Sequence, residues 1–123
     1  MIFGYVNDSL EATTNIEILS PTGDSRTIEV VIDTGFSDYL TLPPSLIAEF
    51  DLRFQDTVLV TLADGSDVEL GTFDVTIAWD GESRQVGALQ ADTTPLIGMR
   101  LLENHRLRMD IVEDGSVTIE AIT

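Results

Sequence analysis

A carboxylate at the end of a predicted strand is the group in this sequence best placed to do chemistry. Residues 30–32, Val-Val-Ile, are β-branched and apolar, which predicts a buried strand that ends at Asp33. An ionised acid at that point is costly unless its charge is managed. Gly35 would let the backbone approach the acid closely, and the Thr34 hydroxyl can hydrogen-bond to neighbouring backbone. The segment is therefore a candidate for acid–base chemistry by Asp33, against the alternative of an ordinary strand followed by a turn.

A second segment lies well downstream and adds weight to the first. Residues 94–102 read Thr-Pro-Leu-Ile-Gly-Met-Arg-Leu-Leu. The apolar pair Leu96 and Ile97 precedes Gly98, and a short helix is expected to begin where the chain bends at that glycine. Two motifs in this order are more specific than an Asp-Thr-Gly tripeptide, which by itself arises by chance far more often.

Together the two segments resemble the retropepsin-like aspartic proteases of clan AA. That family shares an apolar-apolar-Asp-Thr-Gly loop and a later apolar-apolar-Gly-x-x-Leu-Leu element that packs behind it. Residues 33–43 are especially similar to the small prokaryotic members that carry one Asp-Thr-Gly per chain. The resemblance spans roughly residues 4–122, so it implies a single retropepsin-like domain over residues 1–123.

The resemblance also implies roles for individual residues. Asp33 is expected to be the catalytic acid, and Thr34 and Gly35 are expected to support the active-site loop. Side chains after this motif would line the substrate pocket, and a hairpin between the two motifs would form a flap that closes over the substrate. These positions are the pocket residues Phe36, Ser37 and Tyr39, the flap residues Ala63, Asp64, Gly65 and Ser66, and the residues Leu96, Ile97 and Gly98 that pack behind the site.

A mechanism and a partner follow from the same resemblance. One Asp-Thr-Gly per chain supplies half of an active site, so the family solution is a homodimer in which Asp33 meets its symmetry mate about 3 Å away. Two carboxylates at that separation share one proton. The charged member acts as general base on a water, and the protonated member polarises the scissile carbonyl of a peptide or protein substrate. The resemblance therefore implies an aspartic endopeptidase, a peptide hydrolase that needs neither a metal nor an organic cofactor.

Three positions depart from the family pattern. Phe36 stands where the wider family usually has Ala or Ser, and a large ring there would narrow or block the pocket. Ser37 and Met99 stand where viral retropepsins carry an Asp and an Arg whose ion pair braces the dimer. Because both ionic partners are missing together, no orphan charge is left buried. The departures concern the pocket and the bracing of the dimer, and they leave Asp33 in place.

The elements that must position these residues are mostly strands. Alternation of apolar and polar residues predicts strands with one buried face, and a slip in the alternation at Gly71-Thr72 predicts a β-bulge. Short helices are expected over residues 43–50, which begin with two prolines, and over residues 99–103. The alternating stretches are residues 16–18, 27–30, 58–62, 68–79 and 117–120.

Turn signals separate these stretches. Asp64-Gly65, Asp80-Gly81 and Asp114-Gly115 are hairpin signals because glycine accepts positive φ, and a further turn is expected over residues 21–24. The predicted fold class is therefore all-β. It is a mainly antiparallel, closed or half-closed barrel, the retropepsin-like half of an acid protease, with one or two short helices.

The composition limits the partners and the location. A formal net charge of −16 over 123 residues argues against nucleic acid and against anionic membranes. We find no signal-peptide pattern and no apolar run of roughly 18 residues, so a cytoplasmic protein is expected. The absence of cysteine excludes disulfides and thiol nucleophiles. All six basic residues are arginine, which fits either a halophilic origin, where salt screens the charge, or GC-rich codon usage.

The other candidate sites are weaker. His105 has no catalytic partner at a recognisable spacing, and residues 64–67 lack a calcium-loop pattern. Trp79 and Phe73 are expected in the core, and Tyr39 would either approach the substrate or fill the end of the barrel. Two functions besides the endopeptidase stay open: a catalytically silent retropepsin-like module for dimerisation or peptide binding, and an unrelated acidic β domain whose motifs arose by chance.

Overall fold

The alternating stretches of the sequence form the strands of a β-rich structure. The computed structural model describes all of residues 1–123 and contains ten strands and two short helices. In chain order the elements are β1 (Ile2–Val6), β2 (Ala12–Leu19), β3 (Ser25–Ile32), β4 (Leu40–Leu42), α1 (Pro44–Glu49), β5 (Arg53–Thr61), β6 (Asp67–Trp79), β7 (Glu82–Gln90), β8 (Leu96–Ile97), α2 (Met99–Leu102), β9 (His105–Met109) and β10 (Ser116–Ala121).

The ten strands form one sheet that closes on itself in part. The strand order is β5-β6-β7-β4-β8-β3-β2-β1-β10-β9, and β6 also pairs with β2. This additional pairing joins the strands from β6 to β2 into a ring. Two pairings, β3 with β8 and β4 with β7, are parallel, and the others are antiparallel. The predicted fold class is confirmed, although the ring is not a regular barrel, because β4 has three residues and β8 has two.

A hydrophobic core of 22 buried side chains holds the ring together. Alternation along β2, β3 and β6 turns one row of apolar side chains inward on each strand. Burial of one large aliphatic side chain stabilises the fold by about 1.5–3 kcal/mol, so these rows determine which face of each strand points inward. Their buried members are Ile16, Ile18, Ile28, Val30, Ile32, Val75, Ile77 and Trp79.

Both predicted helices are present and short. Helix α1 begins at Pro44, directly after Pro43, and its side chains Leu46 and Ile47 are buried. Helix α2 begins after Gly98 and covers four residues. The i+2 and i+3 positions of α2, Leu101 and Leu102, are buried in the core. No helix of the protein has the length and apolar character needed to cross a membrane.

The bulge predicted at Gly71-Thr72 lies instead on the neighbouring strand. β6 pairs regularly with β7, whereas β5 shifts register between Phe54 and Asp56, so Gln55 is the additional residue. The slip in the alternation of β6 arises because the apolar residues of its first half face away from the side that its second half buries. The break in the alternation at Gly71-Thr72 therefore marks the point at which β6 changes its buried face.

Two of the three Asp-Gly signals behave as predicted, and one has a different cause. Asp80 and Gly81 both have positive φ and join β6 to β7 in a two-residue turn. Gly65 has a φ of +87° at the tip of the β5–β6 hairpin. In the third pair, the positive φ belongs to Asp114. Gly115 is required there for space, because a Cβ atom would overlap the carbonyl group of Asp110.

Candidate active site

Strand β8 fixes the position of the main chain at Asp33. Its residues Leu96 and Ile97 pair in parallel with the last two residues of β3. The amide of Asp33 donates to the carbonyl oxygen of Ile97 at 2.9 Å, and the amide of Val31 donates to that of Pro95 at 2.9 Å. Two segments that are far apart in sequence therefore fix the main chain on either side of the acid.

The carboxylate of Asp33 is oriented by its own loop. The amide of Gly35 donates to Asp33 Oδ1 at 2.9 Å, and the amide of Phe36 donates to the main-chain oxygen of Asp33 at 3.1 Å. The side chain is half-buried, whereas Thr34 and Gly35 are exposed. Asp33 Oδ2 accepts no hydrogen bond within the chain, so one carboxylate oxygen is free for an external partner.

Gly98 allows the loop after Asp33 to pack against the start of α2. The glycine is buried, and a Cβ atom added to it would lie 2.6 Å from the main-chain oxygen of Phe36 and would overlap that of Asp38. The amide of Gly98 donates to the carbonyl of Tyr39 at 3.1 Å, and the amide of Met99 donates to that of Phe36 at 2.8 Å. Leu96, Ile97 and Gly98 thus lie behind the Asp33 loop.

A groove opens beside this loop. Its volume is about 410 Å³, and it lies between the segment after the motif and the base of the β5–β6 hairpin. Of the three predicted pocket residues, Tyr39 lines it, whereas Phe36 and Ser37 do not. The Phe36 ring lies against Gly98, with its Cδ2 atom 2.6 Å from the position of a Cβ atom there. The lining residues are Asp38, Tyr39, Gln55, Asp56, Val58, Thr72, Gly87 and Leu89.

A larger groove elsewhere contains none of the predicted site residues. Its volume is about 650 Å³, and it lies near Ser25, at the start of β3, whereas Asp33 follows the end of that strand. The two ends of an eight-residue strand are roughly 23 Å apart. The position of Asp33, rather than the size of a cavity, therefore identifies the candidate site.

The predicted flap residues form the tip of the β5–β6 hairpin. Ala63, Asp64, Gly65 and Ser66 follow Leu62, which lies just beyond the end of β5 and not within it. Asp64 Oδ1 accepts hydrogen bonds from the amide and the hydroxyl of Ser66. Because these bonds favour the ionised form, they lower the pKa of Asp64 from its ordinary value of 3.8. The tip is a compact turn held by one ionised carboxylate.

The expected backbone bond of the Thr34 hydroxyl is not formed within the chain. The side chain is exposed, and the main-chain amide of Gly35 makes the bond that closes the loop on Asp33. A hydroxyl that the motifs did not single out contributes instead. Thr41 is buried, and its Oγ1 accepts the amide of Leu96 at 2.9 Å. Its signal in the sequence is a hydroxyl residue between two buried leucines.

His105 is engaged in structural contacts. Its Nε2 atom accepts a hydrogen bond from Trp79 Nε1 at 3.3 Å, and its Nδ1 atom lies 2.8 Å from the main-chain oxygen of Glu103. The two rings meet edge to face with centroids 5.7 Å apart. No group of three or more histidine, aspartate or glutamate side chains is arranged so that it could hold a metal ion.

Comparison with solved structures shows which fold this arrangement belongs to. The chain is similar to EIAV protease, solved in complex with the inhibitor HBY-793, with a TM-score of 0.61 and 23% sequence identity over 76% of this chain and 86% of that chain. It is also similar to a retropepsin-like aspartic protease from Rickettsia conorii, with a TM-score of 0.60 and 19% identity over 99% of this chain and 91% of that chain. The chain has a retropepsin-like fold. No protein-family model and no curated protein matches the sequence.

The retropepsin-like fold confirms the resemblance on which the expectations for fold and site were based. Both structural neighbours are proteases by description. At identities of 23% and 19% the similarity is one of fold, and a fold does not by itself determine an activity. The activity has to be argued from the site around Asp33.

Proposed function

We propose that this protein is an aspartic endopeptidase that works as a homodimer. Each chain supplies one Asp33, and the two carboxylates together activate a water for hydrolysis of a peptide bond. The substrate is a peptide or a protein, and no cofactor is required.

The position and the hydrogen bonding of the Asp33 carboxylate carry this proposal. The acid follows a core strand of a retropepsin-like fold, one of its oxygens accepts the Gly35 amide at 2.9 Å, and the other has no partner in the chain. The main-chain amide of Asp33 donates to the carbonyl oxygen of Ile97, which fixes the backbone from which the carboxylate projects. Oδ2 of Asp33 is therefore available to hydrogen-bond with a water or with the second Asp33 of the proposed dimer.

A single chain contains half of the proposed catalytic machinery. In the dimer, Asp33 and its symmetry mate would lie about 3 Å apart, and the pair would hold one proton because both cannot ionise at that distance. The ionised member removes a proton from the water, which attacks the scissile carbonyl. The protonated member donates a hydrogen bond to the carbonyl oxygen and so stabilises the developing charge. The Asp33 that took the proton from the water then donates it to the leaving nitrogen, as the tetrahedral intermediate collapses and its C–N bond breaks.

The remaining predicted residues have proposed roles around this pair. The exposed Thr34 lies where the two loops would meet across the two-fold axis, and Gly35 presents its backbone to the substrate. Phe36 and Ser37 remain proposed substrate contacts outside the groove of a single chain. The hairpin tip at residues 63–66 would close over an extended peptide and exclude water.

Digestion of a diverse peptide pool tests the proposal. We expect the wild-type protein to cleave at defined positions, and we expect Asp33→Asn to lose cleavage by a factor of about 10⁴ or more, because the variant dyad has no carboxylate pair to share a proton. The digestion should be run at low and high salt over a range of acidic to neutral pH, with products identified by mass spectrometry.

Asp24→Asn is the matched control for this substitution. It removes one exposed carboxylate from the turn before β3, outside the groove beside the Asp33 loop, and the Asn side chain can still accept the Thr22 hydroxyl. The control should retain cleavage of the pool. Absence of cleavage by a wild-type protein that is shown to be dimeric would refute the peptidase and favour the alternative of a silent dimerisation or peptide-binding module.

A further inference from the structure

The 410 Å³ groove beside the Asp33 loop has a charge and a shape that select among peptides. We propose that this groove binds a basic side chain, arginine or lysine, of the peptide that occupies the active site. The inference rests on the proposed peptidase function and adds the class of side chain that the site prefers. Asp38 and Asp56 are its specificity-determining residues.

Two carboxylates line the groove, Asp38 from the segment after the motif and Asp56 from β5. Asp38 Oδ1 accepts the amide of Tyr39 at 2.8 Å, and Asp56 Oδ1 accepts the amide of Thr57 at 2.7 Å. These bonds hold both side chains in place. In each case Oδ2 accepts no hydrogen bond within the chain, and neither acid forms an ion pair. The lining contains no basic side chain, so neither carboxylate has a cationic partner within the groove.

The rest of the lining suits the stem of a long cationic side chain. Val58 and Leu89 provide apolar surface, against which the methylene groups of arginine or lysine can pack. Tyr39 provides an aromatic ring. The guanidinium carbon of Arg84 lies 5.6 Å from the centroid of that ring, so the chain's own cation already contacts the ring and the carboxylates remain the groups for a ligand cation.

The charge of the hairpin acts in the same direction. Between residues 53 and 79 the chain carries five acidic residues and one basic residue. An acidic hairpin whose base lines the groove attracts cationic peptides and repels anionic ones before contact is made. A negative groove inside a protein of net charge −16 is therefore expected to discriminate by charge rather than by size alone.

Binding to the Asp33→Asn protein tests the inference without requiring turnover. The probes are positional-scanning peptide pools in which each position in turn carries either arginine or citrulline, its uncharged isostere. At one position we expect the arginine pool to bind about tenfold more tightly at low salt, because a charge-assisted hydrogen bond is worth about that much. The preference should shrink as salt is added.

Variants locate the preference. Asp56→Asn and Asp38→Asn, each introduced into the Asp33→Asn protein, retain the hydrogen bonds to Thr57 and Tyr39 and remove only charge. Each should reduce the arginine preference severalfold, and both together should abolish it. Glu69→Gln is the matched control, because it removes one charge from the same hairpin at an exposed position outside the groove. It should leave the preference close to its starting value.

The outcomes separate this inference from the peptidase proposal. If wild-type protein cleaves peptides but arginine and citrulline pools bind equally, the groove assignment is wrong and the peptidase stands. If wild-type protein cleaves nothing but the arginine preference is present and is reduced severalfold in Asp56→Asn, the peptidase is wrong and the groove assignment stands. Absence of binding to every pool, or an equal loss of preference in Glu69→Gln, would overturn the groove assignment.

Discussion

At the residue scale, Gly98 determines how closely the Asp33 loop can pack against the elements behind it. A Cβ atom at this position would meet the main-chain oxygens of Phe36 and Asp38 as well as the ring of Phe36. Backbone oxygens that are themselves hydrogen-bonded to α2 cannot shift without breaking those bonds. A side chain at this position would therefore displace the loop that orients Asp33.

We expect Gly98→Ala to destabilise the protein by about 2–3 kcal/mol, since the added methyl group overlaps fixed backbone. Urea unfolding followed by circular dichroism measures the change. Gly87→Ala is the control, because a Cβ atom there would meet only the end of the Gln55 side chain, at 3.9 Å. Equal stability of the two variants would contradict the argument that Gly98 is required for space.

At the element scale, the β5–β6 hairpin is a two-stranded ribbon with apolar side chains on one face. Its tip is closed by hydrogen bonds to the carboxylate of Asp64. Val58 pairs with Leu70, and Val60 pairs with Val68, which places apolar side chains on one face of the ribbon. All four are half-buried in the single chain. The tip depends on the ionised carboxylate of Asp64, so its order should depend on pH.

Because the hydrogen bonds from Ser66 lower the pKa of Asp64, the stability that they give to the turn is present above the ordinary value of 3.8 and is lost as pH falls through the lowered pKa. We expect the amide resonance of Ser66 to titrate with a midpoint below pH 3.8. The substitution Ser66→Ala should move the midpoint upward, because the hydroxyl bond is the largest cause of the shift. Two-dimensional NMR of labelled protein measures it.

A serine outside the turn provides the comparison for this titration. Ser83→Ala, at the start of β7, should leave the midpoint of the Asp64 carboxyl group unchanged. If Ser66→Ala also left it unchanged, the hydroxyl would not be what lowers the pKa of Asp64, and the tip would be held by its backbone bonds alone.

At the scale of the whole molecule, charge opposes the assembly that the proposed function requires. Two chains of net charge −16 bring together 2 × −16 = −32 formal charges. The three ion pairs of the chain are all on its surface and neutralise little of this charge. Repulsion between two such chains extends over about 10 Å at 0.1 M salt and over about 3 Å at 1 M.

We therefore expect dimerisation, and with it peptide cleavage, to strengthen as salt is raised from about 0.01 M to about 1 M. Sedimentation velocity at several protein concentrations gives the dissociation constant at each salt. Sucrose, which is uncharged, serves as the control for effects other than screening. Equal dimerisation at low and high salt would refute the electrostatic argument.

Strands could be predicted from the sequence where apolar and polar residues alternate over a long stretch. They were missed where the alternation is short or absent. The rows of β2, β3 and β6 could be read from the sequence because burial of one face imposes period two. β7 was missed because its segment, Glu-Ser-Arg-Gln-Val-Gly-Ala-Leu-Gln, has no regular alternation. β4 and β8 are too short to have a period. The cause of the slip in β6, a change of buried face, depends on which strand pairs with each half.

The sequence by itself determined that Asp33 follows a core strand and that a glycine and a short helix follow a later apolar pair, since these are properties of neighbouring residues. Only the tertiary structure decided that β8 lies between β3 and β4, so that the amide of Asp33 bonds to Ile97 and the loop after it packs on Gly98. The groove beside the Asp33 loop also depends on the tertiary structure, because its lining comes from that loop, the β5–β6 hairpin and β7. Contacts between distant segments depend on strand order, and no local periodicity encodes strand order.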